Sequence, residues 1–306
     1  FQPILDRWRQ SLKDYPHEEA RYERDFAVFS AALDAAERAG RPLRGVHPRL
    51  IGPGHHWTPQ GLYNGMIAPL TQFPIRGVLW YQGAAAPETA YQYRKLFPAL
   101  IHQWRGAWGR ADLPFIYAQE ANFGPCRDQP CEHSWAELRE AQAMAMNIEH
   151  TAMAVAIDLG DATDIHPPRK QPLGQRMALA ARAVAYGEDV AWSGPRYESM
   201  SIQGASIRIR FSHCAGALTT SDGGPVRGFA VSPGATDFSS GHRGFAWAQA
   251  RPEGDSVVVW SDRVSRPVAA RYAWAQNPSC NLTDASGLPA APFRTDDWPG
   301  VTAGNA

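Results

Sequence analysis

The segment Leu159-Gly160-Asp161-Ala162-Thr163-Asp164-Ile165-His166-Pro167-Pro168 places two carboxylates and an imidazole within six residues. It follows the apolar run Met153-Ala154-Val155-Ala156-Ile157, which reads as a buried strand. Loops leaving the ends of such strands are where reactive polar groups gather. A carboxylate that orients a histidine lets the ring take up and return a proton, which is the base-and-acid part of a nucleophile–histidine–acid triad. An activated serine or cysteine, the remaining member, is not evident in the 306 residues. Asp164 stands two positions before His166, Asp161 five, and Asp158 lies further back. Loop geometry can bring any of these carboxylates to Nδ1. Asp164 is the first choice and Asp161 the second, a turn or cap being the structural alternative for Asp161.

The elements that must position this loop are readable from hydrophobic period. Residues 17–40 carry Phe26, Phe29, Ala32 and Leu33 at helical spacing and stop at Gly40. A Pro/Gly/His loop occupies 41–60, and a short helix is expected at 62–67. The apolar run 75–81 predicts a strand ending in Gln82-Gly83, and Tyr93, Leu96, Phe97, Leu100, Ile101 and Trp104 mark a helix to Trp108. A further strand is expected at 113–118, ending in Gln119 and Asn122. A helix from Ser134 to Ile148 opens on a capping-box pattern of Ser134 with Glu137, and another runs from about Pro172 to Tyr186. This strand–helix alternation predicts a parallel, helix-covered α/β sheet. After about residue 192 helix signals vanish, and strands at 206–211, 228–231, 244–247 and 256–260 predict an antiparallel, sandwich-like β unit. The expected division is a helical and loop lead-in over 1–56, an α/β part over 57–191 and a β-rich part over 192–306.

Composition narrows the classes. Thirty Lys and Arg balance thirty Asp and Glu, so no global field favours nucleic acid or an anionic membrane. No apolar segment approaches the roughly 20 residues that span a bilayer. The chain opens Phe1-Gln2-Pro3 without Met, which suggests a processed or truncated chain. Four cysteines suggest two disulfides, Cys126–Cys131 in a polar loop and Cys214–Cys280 across the strand-rich part, and with them an oxidising, periplasmic or secreted setting. Metal ligation is discounted, because neither the cysteines nor His55-His56 have partners at ligand spacing. The 11 Trp and 10 Tyr suit sugar faces, although core filling accounts for most such residues.

Several segments in order carry a resemblance: Leu62-Tyr63-Asn64-Gly65-Met66-Ile67-Ala68-Pro69-Leu70, Arg76-Gly77-Val78-Leu79-Trp80-Tyr81-Gln82-Gly83, Leu159-Gly160-Asp161 with Ile165-His166-Pro167, and Ala180-Ala181-Arg182-Ala183. Arg271-Tyr272-Ala273-Trp274 and Gly287-Leu288-Pro289-Ala290-Ala291-Pro292-Phe293-Arg294-Thr295-Asp296 continue it. Together they resemble the sialate O-acetylesterase family of SGNH-type carbohydrate esterases, from about residue 57 to 298. The resemblance implies a three-layer α/β sheet with β-rich accessory parts. It also implies hydrolysis of acetyl esters on sugars by a serine nucleophile and a histidine base, without metal or organic cofactor. His166 matches the family's catalytic histidine, whereas the usual SGNH acid position, three before it, is Thr163.

Two departures qualify that implication. The family's Gly-Gln-Ser-Asn segment is absent, and no Gly-x-Ser-x-Gly elbow occurs. Ser239-Ser240-Gly241 reads as a turn. The expectation is a C-terminal portion of such an enzyme, partnered by an N-terminal fragment that bears the serine, and inactive as this chain alone. Second, the family follows Trp-Tyr-Gln-Gly with Glu-Ser-Asn, where this chain has Ala84-Ala85-Ala86, so groups that would brace the site or bind an oxyanion are removed. Gln82, Gly83, Gln119 and Asn122 are candidate substrate contacts, and Arg139 and Gln142 either brace the site or face solvent. The expected substrate is an acetylated sugar or oligosaccharide of sialate, xylan or xyloglucan type, read through loops such as 41–60 and 120–135. The alternative is a non-catalytic glycan-binding or scaffold module derived from such an esterase.

Overall fold

The computed structural model describes residues 2–40, 50, 52–53, 55, 58–84, 86–234 and 244–304. The chain forms two compact units, Phe1–Pro74 and Ile75–Ala306. The first holds helix α1 (Gln2–Arg38), then a π-helical turn at Tyr63–Ile67 and a 3-10 turn at Ala68–Leu70. α1 begins well before the expected residue 17 and contains Pro16. Exposed pairs one turn apart, such as Tyr15 with Glu19 and Arg21 with Asp25, line its polar surface.

The second unit opens with a parallel sheet in the order β1 (Val78–Trp80), β2 (Phe115–Ala118), β3 (Thr151–Ala154). Parallel strands need crossovers, and α2 (Ala90–Ala107) and α3 (Ser134–Met144) supply them. Strand β3 starts two residues before the expected run, so Val155, Ala156 and Ile157 are buried connector. The faces of the sheet separate by strand alternation. Phe115, Tyr117 and Met153 pack with Phe97 and Ile101 of α2 and Leu138 and Ala141 of α3. Ile116, Ala118, Ala152 and Ala154 face Leu173, Met177 and Ala180 of α4 (Lys170–Tyr186), which gives the three layers. Gly187, at φ 71°, closes α4 in the left-handed conformation that favours glycine. Strand β1 is an edge of the sheet, with Leu79 in register with Ile116.

The β-rich part follows: β4 (Arg196–Gln203), β5 (Ser206–Ser212), β6 (Thr219–Thr220), β7 (Phe229–Ser232), β8 (Ala246–Trp247), β9 (Gln249–Glu253), β10 (Ser256–Trp260), β11 (Ala269–Tyr272), β12 (Leu282–Thr283) and β13 (Phe293–Arg294). Two four-stranded antiparallel sheets, β4-β5-β10-β9 and β13-β11-β7-β8, and a β12-β6 ribbon make up this part. Ile207, Ile209 and Phe211 alternate inward on β5, and they share one core with Val257, Val259, Phe229, Val231, Tyr272 and Phe293. That core is continuous with the α2/α3 layer. Buried charge also joins the parts. Arg271 pairs with Glu132 at 2.7 Å and Asp296 at 2.8 Å, and Arg294 pairs with Glu140 of α3 at 2.6 Å.

Two local expectations are corrected. The cap of α3 is His133, whose Nδ1 accepts from the Trp135 amide at 3.2 Å, and Ser134 is already helical. Glu137 instead accepts from the amides of Val301 and Thr302, which ties the C-terminal tail to α3. All four cysteines are free thiols, so the expected disulfides are not formed. Cys280 is held against Tyr272, and burial pushes its thiol up to about 12. Cys214 turns its thiol to the Phe211 and Ser212 carbonyls. No described helix is long and apolar enough to cross a membrane.

Candidate active site

All three parallel strands send their C-terminal loops to one sheet edge, the usual position for a site in an open α/β sheet. These loops carry Gln82-Gly83, Gln119 to Asn122, and Asp158 to His166. Side chains stitch them together. Gln142 donates from Nε2 to the Gln82 carbonyl at 3.2 Å and accepts on Oε1 from the Glu120 amide at 2.8 Å, which joins the first two loops. Asn122 accepts on Oδ1 from the Gly160 amide at 2.7 Å and donates to Asn277 Oδ1 at 2.8 Å, which joins the second loop to the third and to the β-rich part. Gly160 is obligatory here: a Cβ would lie 1.7 Å from the Asn122 carbonyl oxygen.

Beneath this edge lies Arg139, fully buried. Its guanidinium donates to four carbonyls, those of Glu120, Ala121, Ala275 and Gln276, at 2.6–2.8 Å. Burial lowers its pKa to about 10, which leaves it charged at neutral pH. Arg139 and Gln142 are thus bracing residues, and the solvent-facing alternative is excluded. Gln119 is also fully buried, donates to the Arg139 carbonyl at 3.1 Å and leaves Oε1 without a hydrogen-bond partner. Gln82 accepts on Oε1 from the Tyr93 hydroxyl at 2.9 Å, and burial pushes that phenol up to about 12. The Ala86 amide donates to the Gly83 carbonyl at 2.7 Å, closing a turn in which Ala85 lies outside the described residues.

Glu120 is the site residue that sequence reasoning missed. Its side chain ends beside Gly83, where a Cβ would sit 2.4 Å from Glu120 Oε2. The residue is 3% exposed, and Oε2 has no hydrogen-bond partner. Desolvation by burial raises its pKa, more than Arg139 and Lys170 lower it. The available signal was an acidic residue two positions after the buried run Phe115–Ala118, where charge is costly.

The histidine loop is built differently. His166 Nδ1 lies 3.3 Å from Asp164 Oδ1, with side chains 87% and 61% exposed. The same oxygen accepts from the His166 amide at 2.8 Å, so the carboxylate holds both backbone and ring. Asp161 Oδ1 instead accepts from the Thr163 amide and hydroxyl and the Asp164 amide, and these bonds lower its pKa. It staples the turn. Asp158 is engaged by Arg176 at 2.6 and 2.7 Å. Asp164 is therefore the carboxylate that reaches His166 Nδ1.

No serine is brought to this imidazole among the described residues. A Gly-Asp-Ser tripeptide does occur, at Gly254-Asp255-Ser256, and sequence reasoning passed over it. It forms the β9–β10 hairpin turn, and Ser256 Oγ donates to Asp255 Oδ1 at 2.9 Å. Ser239-Ser240-Gly241, His56 and Trp57 lie outside the described residues. No group of three or more described His, Cys, Asp or Glu residues is arranged to hold a metal ion.

Comparison with known proteins supplies a family context. Residues 52–183 match the family described as carbohydrate esterase, sialic acid-specific acetylesterase. The chain is 35% identical over 180 residues to a sialate O-acetylesterase from Mus musculus, covering 52% of this chain and 32% of that protein. It is 29% identical over 292 residues to the Homo sapiens sialate O-acetylesterase, covering 85% of this chain and 54% of that one. The crystal structure of a carbohydrate acetylesterase from Xanthomonas citri superposes with a TM-score of 0.72 at 43% identity, over 78% of this chain and 54% of that chain. The chain thus spans from about a third to about half the length of these relatives.

Proposed function

We infer that this chain, which belongs to the sialate O-acetylesterase family of carbohydrate esterases, carries the base-and-acid half of an esterase site that removes acetyl groups from sugars. The single observation that carries this reading is the His166 Nδ1–Asp164 Oδ1 contact of 3.3 Å on a loop at the C-terminal edge of the parallel sheet. The nucleophile is a serine outside these 306 residues, on an N-terminal segment.

In the completed site, the serine Oγ attacks the acetyl carbonyl carbon while His166 Nε2 takes the hydroxyl proton. The tetrahedral intermediate collapses and the sugar oxygen leaves with that proton. Water then attacks the acetyl-serine, giving its proton to His166, and acetate departs as serine regains a proton. Asp164 keeps the imidazole in the tautomer with Nδ1–H and stabilises the imidazolium.

The run Ala84-Ala85-Ala86 favours a second reading, a glycan-binding module that has lost its chemistry. Missing one oxyanion donor costs about 100- to 1000-fold in rate. Adding a separately produced N-terminal segment that carries a Gly-Gln-Ser-Asn sequence to this chain and following acetate release from O-acetylated sialic acid and acetylated xylan separates the two. The esterase reading predicts release that depends on His166. No release from either substrate, although the two pieces associate, supports the binding module.

A further inference from the structure

A cleft of about 370 Å³ opens in the β-rich part, between the loop that follows Asn122 and strands β7 and β8. Trp247, 39% exposed, stands at its wall, and the indole N–H donates to the Asp128 carbonyl at 2.8 Å. The ring is therefore held in place and its polar atom is satisfied within the protein. Arg127, Asp128 and Arg227 also line the cleft; Asp222 pairs with Arg227 at 2.6 Å, whereas Arg127 has no ion pair among the described residues. Asn277, 8% exposed, lines it too, donating to the Gly124 carbonyl at 2.5 Å and accepting from Asn122. Through Asn122, which holds the Gly160 amide, this cleft is one side chain away from the loop that carries His166.

A pyranose ring has an apolar C–H face and a rim of hydroxyls. A fixed aromatic wall with guanidinium, carboxylate and amide groups around it matches both. Preorganisation of the wall lowers the ordering cost of binding. We propose that this cleft is a sugar subsite, which takes a pyranose ring of the glycan chain near the acetylated residue, with Trp247 against the C–H face and Arg127 and Asp128 on the hydroxyl rim. The choice of a sugar rests on the carbohydrate reading above, but the subsite needs no ester and no nucleophile.

Isothermal titration calorimetry of the full chain with xylotetraose, and with trigalacturonate as its charged counterpart, tests this. Saturable binding of one or both is expected. Trp247→Ala should weaken it at least about tenfold, a loss of about 1.4 kcal/mol. Trp247→Phe, which keeps an aromatic face, should hold it within about threefold. Binding of trigalacturonate alone, lost in Arg127→Ala, also supports the subsite and makes a carboxylated pyranose its occupant. The proposal is overturned if neither oligomer binds, or if Trp247→Ala with an unchanged thermal melt binds as well as the parent chain. Neither probe carries an acetyl group, so failure here leaves the esterase reading standing, and failure to release acetate leaves the subsite standing.

Discussion

The loop after β2 and the loop after β3 leave the same sheet edge and are built in opposite ways. From Gln119 to Asn122 the chain is buried or half-buried, and Arg139, Gln142 and Gly160 hold it. From Asp161 to His166 it depends on local turn bonds and ends in an imidazole that is 87% exposed. A frame that must not move can be locked by buried hydrogen bonds. On the proposed function this pair transfers protons, which calls for a site that excludes water, and its exposure is what the proposed serine-bearing element would remove. Stability should therefore reside in the first loop and catalysis in the second.

The largest stability effect should come from Arg139→Met. It removes the donor of four carbonyls, of which only that of Gln276 keeps another, the Phe123 amide; at about 1–3 kcal/mol for each buried unsatisfied group, even partial relaxation leaves a loss of about 3 kcal/mol or more. Urea unfolding measures it, and a loss below about 1 kcal/mol would break the contrast between the loops. Gly160→Ala comes next, at about 1–3 kcal/mol, because its Cβ meets backbone that cannot swing away. Gly174→Ala on α4 is the control, with nothing within 4 Å of its Cβ. That change should be neutral or stabilising, by up to about 1 kcal/mol.

Glu120 gives the comparison a pH signature. Its folded pKa is raised, so the native state holds the proton more tightly than the unfolded chain does. The stability contribution is then present below the usual carboxyl pKa and is lost as pH rises through that range toward the raised value. Glu120→Gln should remove this dependence, so the variant gains on the parent as pH rises from 4 to 8. Equal stability differences at both ends of that range would show that Glu120 is not desolvated. The smallest stability effect belongs to Asp164→Asn, within about 0.5 kcal/mol for so exposed a pair. In the complemented enzyme the same change should cost about 10³–10⁴-fold in acetate release.

Much of the scaffold was legible because burial imposes a period. Tyr93, Phe97 and Ile101 are buried at helical spacing on α2, and Ile207, Ile209 and Phe211 alternate on β5. The two-residue strands β6, β12 and β13 carry too little pattern to announce themselves, because their neighbours define them. Capping was misread at α3, since the Ser134–Glu137 spacing is met but Glu137 is taken by the C-terminal tail, more than 160 residues away in sequence. The Asp/His loop was legible from residue type alone. Arg139 was legible only as a choice between brace and solvent, and Glu120 not at all: charge marks a residue as exposed until tertiary structure supplies carbonyls for one and a glycine cradle for the other.

The central claim is that these residues hold a base and an acid without their nucleophile. Hydrolysis of 4-nitrophenyl acetate by the isolated chain, in parent and His166→Ala forms side by side, tests it most directly. The account predicts that both stay at the buffer background, and that the serine-bearing segment restores turnover only to the parent. Turnover by the isolated chain that survives His166→Ala would contradict it.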